Sequence, residues 1–226
     1  MSTPLRTRIK MCGFTREADV DAAVQAGADA IGFVLYPPSP RAVSIERAAA
    51  LAARLPAFVT PVLLFVNESP ERVGEACTAV PGALLQFHGD ETPEYCAEMS
   101  CLTGRPHLKA ARIPLQAADR FDLVKFAQLH HNAQAILLDA HVDGFGGGGK
   151  AFNWSLLPPS VNAHLVLSGG LTPANVADGI RALRPRARSL AVDVSSGIET
   201  GKGLKDADKI RQFVDAVRAA DNDTHR

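Results

Sequence analysis

The feature that most constrains this chain is a repeat of rhythm rather than of sequence. Short apolar runs alternate with helical patterns about eight times, at a spacing of roughly 20 to 30 residues, as strand–helix units require. The first run is Arg8-Ile9-Lys10-Met11-Cys12, which stops at Gly13, and the others fall at 30–35, 60–66, 83–88, 107–113, 135–139, 164–168 and 189–193. Most are near-continuous hydrophobic segments, the pattern of parallel strands buried on both faces. Helix signals stand between them. A helix over 17–26 has Ala18, Val20, Ala23 and Val24 as its inward residues and Gly27 as its stop. Ser44 is an N-cap, and Ser69-Pro70-Glu71 and Thr92-Pro93-Glu94 each place proline at the first helical position. A weaker helix is expected over 119–129, another helix over 173–183, and a long amphipathic one over 205–219. The expected fold is α/β: a single-domain TIM (β/α)8 barrel with parallel strands over residues 1–220, with 221–226 as a frayed polar tail. An open doubly wound sheet with fewer strands is the structural alternative.

Composition narrows the class. The 226 residues are 46% hydrophobic, enough for one sizeable core. Lys and Arg total 24 and so do Asp and Glu, so bulk charge gives no reason to expect a nucleic-acid or membrane partner. The four cysteines, Cys12, Cys77, Cys96 and Cys101, form no CxxC pair and no zinc spacing. A chain of this size does not need disulfides, so reduced thiols and a cytoplasmic location are expected. No apolar stretch near the start resembles a signal peptide, and the longest apolar run, 58–66, is too short to span a bilayer.

In a closed barrel every strand end faces one rim. The residues at those ends are Cys12; Tyr36 with Arg41; Asn67; Gln86 and His88; Lys109 and Arg112; Asp139 and His141; Ser168-Gly169-Gly170; and Asp193-Val194-Ser195-Ser196-Gly197. Gly169, Gly170, Ser195, Ser196 and Gly197 form two donor-rich turns in the last two units, where barrels commonly grip a phosphate. Cys12 and Asp139 form a candidate base and acid across the mouth, since a thiolate takes a proton and a carboxylic acid gives one. The plainer readings are a core thiol for Cys12 and a turn residue for Asp139. Arg41 is either a solvated loop charge or a fork for a substrate carboxylate. His88 reads most simply as a hydrogen-bonded structural histidine, and with no second histidine at ligand spacing no metal is expected. Gly144-Phe145-Gly146-Gly147-Gly148-Gly149 satisfies GxGxxG but lacks the strand-to-helix context, and Ala151 after Lys150 breaks a P-loop. It reads as a loop over the mouth or a plain connector.

Taken together these motifs resemble the phosphoribosylanthranilate isomerase family. The likeness runs through Lys10-Met11-Cys12-Gly13, Gly32-Phe33-Val34 with Ser39-Pro40-Arg41, Gln86-Phe87-His88-Gly89 and Asp139. It continues through Gly146 to Lys150, Phe152-Asn153-Trp154, Leu167-Ser168-Gly169-Gly170-Leu171 and Val192-Asp193-Val194-Ser195-Ser196-Gly197-Ile198-Glu199. The resemblance implies a metal-free barrel, without cofactor, that performs an Amadori rearrangement on a phosphosugar. It further implies Cys12 as general base and Asp139 as general acid. Arg41, Gln86 and His88 fall on the substrate, and Gly169, Gly170, Ser195, Ser196 and Gly197 on its phosphate. Gly148 stands where the family pattern has Ser or Thr, Asn153 where it has Asp, and Phe87 where it has Leu. Monomer and homodimer both stay open. Rival readings are another phosphate-gripping barrel enzyme, such as a ribulose-phosphate epimerase or an indole-glycerol-phosphate synthase, and a non-catalytic phosphosugar binder.

Overall fold

The computed structural model describes residues 6–114, 121–140, 154 and 157–223. Its elements follow the expected alternation: β1 Arg8–Cys12, α1 Glu17–Ala26, β2 Ala30–Val34, α2 Ile45–Ala52, β3 Thr60–Phe65, α3 Pro70–Ala79, β4 Leu84–Phe87 and α4 Pro93–Thr103. There follow β5 His107–Ile113, α5 Leu123–Leu129, β6 Ala135–Ala140, β7 Val161–Leu167, α6 Val176–Leu183, β8 Ala187–Val194, the short β9 Glu199–Gly201 and β10 Leu204–Lys205, and α7 Ala207–Asp223. Strands β1 to β8 close in sequence order into a barrel. The seam is parallel, from Arg8 opposite Ala191 to Met11 opposite Val194. Closure excludes the open doubly wound alternative.

Alternation along each strand divides the side chains between two environments. Outward residues such as Met11, Phe33, Phe65 and Phe87 are fully buried between barrel and helices. Phe87 lies edge-on to Tyr95 at 5.7 Å and tilted against Phe65 at 6.3 Å and His107 at 5.6 Å, so its extra bulk over leucine is used in the shell. Inward residues form two small apolar clusters, Cys12 with Val34, Leu64 and Val66, and Ala110 with Leu137 and Val166.

The caps behave as expected: Ser44, Ser69 and Thr92 accept the backbone N–H of Arg47, Arg72 and Tyr95. Several boundaries differ. In α1 the inward residue beside Val20 and Ala23 is Asp19, while Ala18 is exposed and Val24 half-buried. Asp19 is drawn inward because its carboxylate accepts Arg16 Nε at 2.9 Å and Lys205 N–H at 3.1 Å. Helix α5 starts at Leu123 because Asp122 caps it through Lys125 N–H; the expected residue 119 lies outside the described residues. Strand β7 starts three residues early, at Val161. Helix α6 starts three residues late, because Asn175 folds back, accepting Thr172 N–H at 2.8 Å and donating to Gly170 O at 3.0 Å. The expected fraying does not begin at 221. Helix α7 runs to Asp223, and Asp221 accepts Thr7 N–H at 2.8 Å and Thr7 Oγ1 at 2.6 Å and pairs with Arg184. Residues 224–226, His141 and the glycine-rich segment with Gly148 and Asn153 lie outside the described residues. Among the described residues no helix is long and apolar enough to cross a membrane.

Candidate active site

Cys12 ends β1 with its side chain inside the barrel, packed among Val34, Leu64 and Val66. Two residues earlier on the same face, Lys10 reaches Asp193 at 2.9 Å. Both charges are buried. Burial works against the Lys10 ammonium, but Asp193 and the Cys12 sulfur outweigh it and hold its pKa above the usual lysine range. Burial pushes the Cys12 thiol up, while Lys10 and Lys205 pull it back toward ionisation and Asp193 opposes them.

Arg41 is not a solvated loop charge. The loop after β2 doubles back, with Val43 N–H bonded to Val34 O at 2.9 Å and Ala42 bridged to Val34, which turns Arg41 toward the mouth. The residue is only 8% exposed, and its guanidinium meets Glu199 in a fork, Nε to Oε1 and Nη2 to Oε2, each at 2.8 Å. Lys205 Nζ joins the same carboxylate at 2.7 Å and the Ser195 carbonyl at 3.1 Å. These bonds hold the Arg41 pKa above its usual value. Burial lowers the pKa of Lys205 despite Glu199.

Across the barrel, Asp139 sits near the end of β6. Its Oδ2 lies 3.0 Å from His88 Nε2, and His88 Nδ1 lies 2.9 Å from Gln86 Nε2. All three side chains are buried. His88 is therefore hydrogen-bonded as the plainer reading expected, with the candidate acid as its partner.

The two turns after β7 and β8 meet. A Cβ on Gly197 would fall 1.9 Å from the Leu171 carbonyl oxygen, so only glycine fits that crossing. Gly169 and Gly170 both adopt left-handed backbone, at φ 76° and 65°. Among the described residues, the N–H groups of Gly170, Ser196 and Gly197 bond no protein acceptor, leaving donors for an oxyanion. The structure thus brings Cys12, Arg41, Gln86, His88, Asp139, Gly169, Gly170, Ser195, Ser196 and Gly197 to the carboxyl-terminal half of one barrel. No group of three His, Cys, Asp or Glu among the described residues is arranged to hold a metal.

Sequence reasoning gave no role to the supporting charges Lys10, Asp193, Glu199 and Lys205, although Asp193 stood among the strand-end residues. Lys10 and Asp193 carried a signal: each precedes a rim residue by two positions and so shares its face. Glu199 and Lys205 carried none in the strand pattern, because they lie on the short β9 and β10, which pair with each other and not with the barrel strands.

Comparison with known proteins gives one answer. Residues 9–216 match the family model for N-(5'-phosphoribosyl)anthranilate (PRA) isomerase. The N-(5'-phosphoribosyl)anthranilate isomerase of Methylibium petroleiphilum is 60% identical over 96% of each chain. The crystal structure of phosphoribosyl anthranilate isomerase from Thermotoga maritima superposes with a TM-score of 0.82 at 38% identity, covering 94% of this chain and 99% of that one. Engineered monomers of that dimeric enzyme give 0.77 at 34%, with the same coverage. A phosphoribosyl anthranilate isomerase in complex with reduced 1-(o-carboxyphenylamino)-1-deoxyribulose 5-phosphate gives 0.75 at 33%, again covering 94% and 99%.

Proposed function

The chain belongs to the N-(5'-phosphoribosyl)anthranilate isomerase family of tryptophan biosynthesis, and from that premise we propose that Cys12 is its general base and Asp139 its general acid. The observation that carries the assignment is the placement of these two groups at the carboxyl ends of two non-adjacent strands of one barrel, β1 and β6, each with its own buried polar support. Asp139 gives its proton to the ribose ring oxygen as the C1–O bond breaks, leaving a carboxylate and a protonated Schiff base at C1. The iminium acidifies the C2–H bond. The Cys12 thiolate takes that proton, and the electron pair moves into the C1–C2 bond to give an enolamine. Protonation at C1 and loss of the hydroxyl proton at C2 give the amino-ketose. The substrate's own nitrogen is the electron sink, so the reading requires no metal or cofactor.

The other residues are assigned to binding. The N–H groups of Gly169, Gly170, Ser196 and Gly197, with the Ser195 and Ser196 hydroxyls, receive the phosphate. Arg41 faces the anthranilate carboxylate with Nη1, the nitrogen that Glu199 leaves over. Gln86 and His88 form the wall beside Asp139. The relative bound to the reduced product analogue supports a ligand with a carboxylate at one end and a phosphate at the other. Conversion of phosphoribosylanthranilate, followed by fluorescence with a chelator present, tests the assignment. Wild type should turn over unaffected by chelator. Cys12→Ser should fold normally and lose at least about a hundredfold in kcat, because a hydroxyl is a far weaker base near neutrality. Wild-type turnover in that variant removes Cys12 from the mechanism.

A homodimer is the favoured assembly. Phe58 is fully exposed, in left-handed backbone at φ 72°, and a partner's surface would remove its ring from water. The dimeric Thermotoga relative supports this reading. Sedimentation should give a dimer that Phe58→Glu dissociates; a wild-type monomer at micromolar concentration contradicts it.

A further inference from the structure

Gln86 presents an unusual arrangement for a buried amide. It is fully buried inside the barrel, paired across the sheet with Leu64 of the inner cluster. Its Nε2 contacts His88 Nδ1, but its Oε1 has no partner among the described residues. Buried polar groups are normally satisfied, and the polar contact that this amide makes is to the imidazole. The group it serves is the imidazole, and the imidazole serves Asp139.

The geometry determines the protons. When Asp139 is a carboxylate it can only accept, so His88 must donate through Nε2. Nδ1 of the neutral ring then carries a lone pair, and only the N–H2 end of the Gln86 amide can satisfy it. Every other freedom of the carboxyl is removed. Asp139 Oδ1 accepts the N–H of Ala140 at 3.0 Å, and Gly169 packs so closely that a Cβ there would lie 2.9 Å from Oδ1. The turn carrying His88 is braced from outside the barrel. Lys109 Nζ bonds Gly89 O at 2.7 Å and Glu91 Oε2 at 2.6 Å, and Glu91 accepts the N–H groups of Asn67 and Gly89.

We propose that His88 is a positioning residue for Asp139, and that Gln86 fixes it as the Nε2–H tautomer, so that the imidazole receives the carboxylate formed when Asp139 protonates the ring oxygen. This rests on the assignment of Asp139 as the acid. In the step, the Asp139 O–H proton moves to the ribose oxygen and its bonding pair stays on the carboxyl oxygen. The Nε2–H bond to Oδ2 then becomes charge-assisted and shorter. His88 keeps its own proton throughout.

Three readouts separate this device from a merely structural contact. Long-range proton–nitrogen spectra of enzyme carrying 15N-histidine should show His88 as the Nε2–H tautomer, and Gln86→Leu should shift it toward a mixture; an Nδ1–H ring in the wild type overturns the proposal. His88→Ala should lower kcat tenfold or more with KM changed less than about threefold, and His88→Gln, whose amide nitrogen reaches the place of Nε2, should restore most of the loss. Unchanged kcat in His88→Ala, or failure of glutamine to do better than alanine, overturns it. In an Asp139→Asn background, His88→Ala should cost less than threefold more, because its partner's charge is gone; a full further loss means that His88 acts independently and contradicts the proposal. If Asp139→Asn itself retains wild-type turnover, the acid assignment fails instead, whatever tautomer His88 shows.

Discussion

The two sides of the barrel wall solve opposite problems. Outside, between strands and helices, Phe33, Phe65, Phe87, Met11 and Leu85 belong to a large apolar shell, with polar pairs such as Lys109 and Glu91 set into it. Inside, the strands and the turns that follow them carry Lys10 with Asp193 and Gln86 with His88 and Asp139, beside small apolar clusters, and the loop after β2 with β9 and β10 adds Arg41 with Glu199 and Lys205. The outer face obtains stability from area and needs no specific partner. The inner face accepts the desolvation of several charges, which apolar residues of similar size would avoid. Outside the barrel the buried Lys109–Glu91 pair braces a turn; inside, the charges gather at the mouth, where they are placed to act on a ligand. Changes outside should therefore lower stability and spare turnover, and changes inside should do the reverse.

The largest expected effect on the outer side is at Phe87. Phe87→Ala removes a ring in contact with Phe65, Tyr95 and His107 and should cost about 3–5 kcal/mol in chemical unfolding, while the fraction still folded keeps its kcat. A comparable loss of kcat per folded molecule would blur the division between the faces. A smaller effect comes from a buried histidine with a ring nitrogen short of a partner among the described residues. His130 packs on Phe126 at 4.5 Å, its Nδ1 is buried without an acceptor or donor, and burial lowers its pKa from 6.5 to about 4. Between those values the unfolded chain binds a proton that the folded chain refuses, so stability is full above about pH 6.5 and declines as pH falls toward 4. Between pH 7 and pH 5 the loss from this group is on the order of 2 kcal/mol. His130→Gln should flatten that part of the pH–stability curve, and an unchanged slope would contradict the assignment. The smallest effect is at a cap: Ser69→Ala removes the acceptor for Arg72 N–H and should lower stability by about 1 kcal/mol with no change in KM.

The outer face was the more legible in the sequence. Strand positions follow from continuous apolar runs, and Ser44, Ser69 and Thr92 announce their helices because capping is local chemistry. Reading the residues at the strand ends was enough to collect Cys12, Asp139, Arg41 and the two glycine- and serine-rich turns after β7 and β8. What stayed hidden depends on distant partners. Asp19 turns inward to bond Lys205, 186 positions away, which hydrophobic periodicity cannot register. Arg41 looks like any loop arginine until Glu199, 158 positions on, is placed against it. The start of β7 was obscured because Asn162 and His164 face solvent in its first half and break the apolar run.

The central claim is that the inner face is a proton-transfer site with Asp139 as its acid, and the most direct test is a single variant measured three ways. Asp139→Asn keeps the size of the side chain and a hydrogen-bonding partner for His88 but has no acidic proton to give. Turnover of phosphoribosylanthranilate should fall by roughly a hundredfold or more. Affinity for the reduced product analogue should change by less than about threefold, since Arg41 and the phosphate turns still hold both ends of the ligand, and the thermal midpoint should stay close to wild type. Wild-type turnover combined with a lowered midpoint would make Asp139 a turn residue and contradict the account.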